Sequence, residues 1–133
     1  MNNQSLLQEF NLKATPQRLE IVNLLYDKGH LTIDNLYVML QDKFPSLSLA
    51  TIYKNINKMI NNNFLSEVNI PNQKSVYELV KKEHSHIVCS KCNEIIDINL
   101  NISNIINDAE NKTSYQIEQS SIIFNGICPK CNH

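Results

Sequence analysis

The chain has 133 residues, 42% of them hydrophobic, enough for one ordinary domain or two small ones with a packed core. Its 12 Lys/Arg and 13 Asp/Glu give a formal net charge of −1, shared evenly along the chain, which excludes a molecule-wide basic field of the kind that advertises nucleic acid. No apolar run approaches the roughly 18 residues of a membrane span, and Met1-Asn2-Asn3-Gln4-Ser5 lacks the basic and apolar blocks of an export signal, so a cytoplasmic protein with reduced thiols and no membrane partner is expected.

Residues 4–11 bring Leu6, Leu7 and Phe10 to one side of a short helix. Thr15 is a good N-cap and Pro16 suits the first position of a second helix. Leu19, Val22, Leu25 and Tyr26 then recur at helical spacing up to Gly29. The stretch Lys13-Ala14-Thr15-Pro16-Gln17-Arg18 is a helix start, and it can also place Gln17 and Arg18 near phosphate, because helix N-termini attract anions. His30 stands at the next boundary, where a lone His is by itself an ordinary surface residue. Thr32 caps a third helix with Ile33, Leu36, Tyr37 and Leu40 inward, closed by Phe44-Pro45.

Ser46-Leu47-Ser48 opens a fourth helix, with Leu49, Ile52, Ile56, Met59 and Ile60 on one face. Ala50, Thr51, Lys54, Asn55, Asn57 and Lys58 fall elsewhere, with Tyr53 at the margin. From Pro45 to Asn63 there are two lysines and no acidic residue, so the polar face is locally basic, small and amide-rich, as a major-groove helix requires. An ordinary amphipathic helix accounts for that segment alone. The next segments shift the balance: residues 64–70 read as a strand, Pro71-Asn72-Gln73-Lys74 as a turn and residues 75–80 as a returning strand. Helices followed by a hairpin is the order of a winged helix-turn-helix, with the recognition helix at 48–60 and the wing near 71–74.

Lys81-Lys82-Glu83 is a charged linker and the best domain boundary, dividing a first domain at 1–80 from a second at 84–133. His84 and His86, two apart, point to one face of a strand. Cys89 and Cys92 form a C-x2-C knuckle, and Ile95-Ile96-Asp97 returns as a second strand. Residues 101–112 form a modest helix and residues 114–124 a long strand, giving a β-β-α-β unit closed by a second knuckle, Cys128-Pro129-Lys130-Cys131. Four thiolates in two knuckles suit a closed, tetrahedral structural zinc site. Disulfides would need an oxidising compartment, and a thioredoxin-like motif normally uses one such pair rather than two.

Thr15-Pro-Gln-Arg18, Ser48-Leu-Ala-Thr-Ile-Tyr53, His84-x-His86-x-x-Cys89-x-x-Cys92 and Cys128-x-x-Cys131, in this order over nearly the whole chain, resemble the ferric uptake regulator family. The resemblance implies an α+β protein, a dimeric metal-dependent repressor of palindromic DNA, with an N-terminal winged helix and a small C-terminal α/β dimerisation domain. It implies that Tyr53 and its polar neighbours Ser48, Ala50, Thr51 and Lys54 face DNA, with Lys13, Thr15, Gln17 and Arg18 helping on the backbone. It assigns Zn2+ to Cys89, Cys92, Cys128 and Cys131. It maps a sensing site onto His30, Glu78, His84, His86 and Asp97, a mixed imidazole and carboxylate set suited to Fe2+ or Mn2+.

Asp97 resembles the peroxide-responsive branch, in which Fe2+ drives oxidation of ligand histidines, here His30 and His84. Glu78 departs from that branch and is more like the iron- or zinc-uptake branches. Two other classes remain at this point. A zinc hydrolase could use the His/Asp cluster, although neither a general base nor a substrate pocket is evident. A zinc-stapled interaction module would need neither Tyr53 nor the locally basic helix.

Overall fold

A computed structural model describes residues 2–132. The chain forms two compact units, one ending at Lys81 and the other beginning at Lys82. The first contains α1 (Asn3–Glu9), α2 (Pro16–Lys28), α3 (Ile33–Gln41), α4 (Leu49–Asn61) and a hairpin of β1 (Leu65–Val68) and β2 (Val76–Leu79). The polar side chains at the helix starts explain the boundaries. Thr15, Thr32 and Ser48 each accept a hydrogen bond from the backbone N–H three residues on, satisfying a donor the helix leaves open. Gly29 ends α2 at φ 84°, a left-handed conformation that glycine adopts without steric cost.

The core of this unit is built from the repeating apolar positions. Leu7, Ile21, Val22, Leu25, Leu36, Leu40, Ile52, Ile56 and Met59 are all fully buried, joined by Phe64, Leu65 and Tyr77 from the hairpin. Two residues expected inward are not: Tyr26 is exposed, whereas Ile21, outside the expected repeat, is buried, and Leu49 at the first turn of α4 is also exposed. β1 and β2 pair antiparallel with Val68 opposite Val76. Leu31 forms a two-way backbone pair with Tyr77, which hooks the segment before α3 onto the hairpin.

The second unit holds β3 (Ser85–Cys89), β4 (Ile95–Ile98), α5 (Ser103–Thr113) and β5 (Ile123–Gly126), with the sheet in the order β4-β3-β5. β4 runs antiparallel to β3 through the first knuckle, and β5 runs parallel to β3 after the α5 crossover. The long strand expected over 114–124 is thus only its last part, continued to Gly126. Ser114 leaves α5 in the left-handed region, and the Ile117 N–H donates to the Glu110 carboxylate, so this stretch is tied back to the helix. Both edges of β3 are already taken, and Glu118-Gln119-Ser120-Ser121 interrupts the alternation a strand would need.

Candidate metal centres and nucleic-acid interface

In the first unit the register of one backbone bridge brings two candidate ligands together. Leu31 lies opposite Tyr77, so the residues on either side, His30 and Glu78, also face each other. His30 Nε2 sits 2.8 Å from a Glu78 carboxylate oxygen, and the Glu78 side chain is only 3% exposed. Glu78 is therefore not the solvated carboxylate that its sequence context allows. A carboxylate is buried this completely only when a cation or strong donors compensate it.

In the second unit His86 and Asp97 are direct cross-strand partners on β3 and β4. His84 stands two residues before His86 and shares its face, which brings the two imidazoles together. Their Nε2 atoms are 3.1 Å apart, and Asp97 Oδ1 lies 3.7 Å from His84 Nε2 and 3.4 Å from His86 Nε2. Ligands about 2.1 Å from one ion are about 3.0–3.4 Å from each other, so this spacing suits a shared ion. His84 Nδ1–H donates to the Lys82 carbonyl at 2.8 Å, which fixes the ring and leaves Nε2 with its lone pair facing the cluster. Metal-ligating imidazoles are typically oriented by such a bond from their second nitrogen.

The four cysteines form the other centre. Asn93, at φ 63°, and the Cys89–Glu94 backbone pairing shape the first knuckle. Cys89 pairs with Gly126 across the β3–β5 ladder, two residues before Cys128, so the parallel register delivers the second knuckle beside the first. All four sulfurs lie within 4.8 Å of one another. Cys92 Sγ and Cys128 Sγ are 3.8 Å apart, far beyond a disulfide bond. A tetrahedron of sulfurs about 2.3 Å from zinc has edges of about 3.8 Å. The backbone N–H groups of Cys92 and Cys128 both donate to Cys89 Sγ, and they pull its thiol down to about 6. The hydrogen bond with Cys128 and burial push Cys131 up to about 12. Four thiols this close cannot all ionise unaided, and a divalent cation is the group that relieves the conflict. The residues fit structural zinc.

The residues expected to face nucleic acid gather around α4 and the start of α2. Lys13, Ser48, Ala50, Thr51, Tyr53 and Lys54 are exposed, while Thr15, Gln17 and Arg18 are half-buried. Arg18 does more than its sequence position indicated: Nε donates to Asn55 Oδ1 on α4 at 3.0 Å and Nη1 donates to the Lys13 carbonyl at 3.1 Å. Sequence reasoning placed Asn55 only on the polar side of α4. A contact between residues 37 apart leaves no local signal. The link from Lys74, in the turn of the hairpin, to Asp34 on α3 was equally invisible.

A family model described as the ferric uptake regulator family matches residues 9–125. The chain belongs to the ferric uptake regulator family. It is 27% identical to the peroxide operon regulator of Bacillus subtilis over 128 residues, covering 95% of this chain and 88% of that protein. It is also 27% identical to the ferric uptake regulation protein of the same organism, over 133 residues, covering 95% and 89%. The crystal structure of the Campylobacter jejuni peroxide stress regulator superposes with a TM-score of 0.74 at 35% identity, covering 98% of this chain and all of that one. The family match spans both units and takes in His30, Glu78, His84, His86, Asp97 and the first knuckle; it ends just before the second. No helix among the described residues is long and apolar enough to cross a membrane.

Proposed function

We propose that this chain is a metal-responsive transcriptional repressor that binds palindromic duplex DNA as a homodimer in the cytoplasm, and that it senses peroxide. It works by binding, with no substrate to turn over. The observation that carries the reading is the pair of ligand sets: His30 with Glu78 in the first unit, and His84, His86 and Asp97 in the second. A single ion held by both sets fixes one arrangement of the two units, the one that fits an operator. Affinity for metal and for DNA are then linked by the same free energy.

The mixed nitrogen and oxygen donors suit Fe2+ or Mn2+, whereas Cys89, Cys92, Cys128 and Cys131 hold Zn2+. Ferrous iron, if held by the histidine-carboxylate residues, would supply the redox chemistry for peroxide to oxygenate a ligand imidazole, that of His30 or His84. The chain's own part is to aim the imidazoles and bury the carboxylates. An oxygenated imidazole would be a poorer ligand, so the site would hold its ion less tightly and repression would lift. On DNA, α4 enters the major groove with Ser48, Ala50, Thr51, Tyr53 and Lys54 toward the bases, and Lys13, Thr15 and Gln17 meet the backbone. Dimerisation is supported by α5, which buries none of its residues, and by exposed Ile96, Ile105, Phe124 and Ile127 in the second unit. Two copies would set their α4 helices roughly one DNA turn, about 34 Å, apart.

Iron-uptake regulation is the second reading, favoured by Glu78 and by the equal identity to the two Bacillus subtilis regulators. Peptide mass spectrometry after peroxide treatment separates them. Added oxygen on the His30 or His84 peptide with Fe2+, and none with Mn2+, is expected of a peroxide sensor. Unmodified histidines in the Fe2+ sample would leave iron-uptake regulation as the function. Binding to a selected palindromic duplex that weakens steeply with salt is expected of either regulator.

A further inference from the structure

A continuous line of hydrogen bonds runs through the residues that frame α4. The Lys13 carbonyl accepts from Arg18 Nη1, and Arg18 Nε donates to Asn55 Oδ1. Asn55 Nδ2 in turn donates to the Thr51 carbonyl at 3.2 Å, one turn back along α4. The Thr51 N–H donates to Ser48 Oγ at 3.1 Å, and the Ser48 and Thr51 hydroxyls are 2.9 Å apart. The orientation of the Asn55 amide is not arbitrary. Reversed, it would set its NH2 against the guanidinium and its oxygen against the Thr51 carbonyl, and both contacts would repel.

This line joins the loop before α2 to the N-terminal turns of α4, the part of a recognition helix that meets base edges. The guanidinium is half-buried, and two of its five donors are given to protein acceptors in a fixed fork. Lysine cannot reproduce that fork. By contrast Lys13 and Lys54 are exposed and show no carboxylate partner among the described residues. They are the cations placed for phosphate.

We infer that Arg18 and Asn55 form a brace that sets the pose of α4, and that Arg18 is a positioning residue for DNA recognition rather than a phosphate contact. The inference rests on the DNA-binding reading and gives a specific role within it. A phosphate contact and a brace differ in their dependence on salt. Loss of one phosphate contact lowers the slope of log affinity against log salt by about one and weakens all sequences alike. Loss of a brace leaves the slope unchanged and erodes only specific binding.

The test uses the full-length, metal-loaded protein on two duplexes, one selected from random sequence by the wild-type chain and one unrelated. Arg18→Ala, Arg18→Lys, Asn55→Ala and the double variant Arg18→Ala/Asn55→Ala are titrated across a salt series. Each single variant is expected to lose about tenfold in affinity for the selected duplex and little for the unrelated one. The double variant should lose no more than the worse single, and the salt slopes should match wild type. Arg18→Lys should behave like Arg18→Ala although its charge is kept. Hydrogen exchange should show faster exchange in the first turns of α4 in all four variants, with the rest of the unit unchanged. The brace is overturned if Arg18→Ala lowers the salt slope by about one while Asn55→Ala is silent, or if the two losses simply add. A wild-type chain that selects no duplex from random sequence and does not bind the unrelated one instead removes the DNA-binding reading, and the role of the brace with it.

Discussion

Asn93 illustrates how single side chains fix the zinc knuckle. It sits at φ 63°, between Cys92 and Glu94, where the chain must turn back for the Cys89–Glu94 pairing. Asparagine tolerates this region better than other residues with a side chain, and glycine tolerates it fully. Asn93→Gly should therefore leave zinc-loaded stability nearly unchanged. Asn93→Val should cost about 1–2 kcal/mol, the usual penalty for forcing a branched side chain into the left-handed region. Urea denaturation of the zinc-loaded protein measures the difference, and equal stabilities would show that the knuckle turns without help from this residue.

At the scale of elements, α4 depends on its first turn. Ser48 satisfies the Thr51 N–H, so Ser48→Ala should lower stability by about 1 kcal/mol, as loss of an N-cap usually does. Chemical denaturation checks this, and DNA affinity should fall further because the same hydroxyl belongs to the line reaching Arg18. The hairpin offers a contrasting case. Lys74 in its turn pairs with Asp34 on α3, and that carboxylate holds the ammonium pKa above its ordinary value. Both side chains are largely exposed, so Asp34→Asn should change stability little. The released lysine can then meet phosphate. The expected outcome is tighter binding to any duplex and a salt slope steeper by about one, measured in the same titrations. An unchanged slope would place the hairpin turn away from DNA.

For the whole molecule the decisive quantity is the coupling between the sensing ion and DNA. His86→Ala removes a buried imidazole proposed as a ligand on β3 and leaves all four cysteines in the chain. The protein should keep its zinc by elemental analysis, lose the second ion, and bind a selected operator at least about tenfold more weakly. The same loss should follow from mild chelation of wild type that spares zinc. Operator affinity indifferent to both treatments would mean that the histidine-carboxylate set does not control DNA binding. Reciprocity supplies a further check, since operator DNA must tighten metal binding by the same factor.

Local pattern was enough for much of this molecule. Helical spacing, three side-chain caps and the Lys81–Glu83 charge run are short-range signals. Helix positions, the hairpin and the C-x2-C knuckles could therefore be read from residues a few places apart. Asn55, Asp34 and the true extent of β5 could not, because each depends on a partner 37 to 40 residues away in sequence or on which sheet edge is still open. The ligand sets lie between these cases. His86 and Asp97 face each other through an ordinary hairpin register, whereas Glu78 reaches His30 only because one backbone bridge joins Leu31 to Tyr77. The residue types that can do the chemistry are written along the chain. Which of them are buried, oriented and brought within ligand distance is decided by long-range backbone pairing and packing.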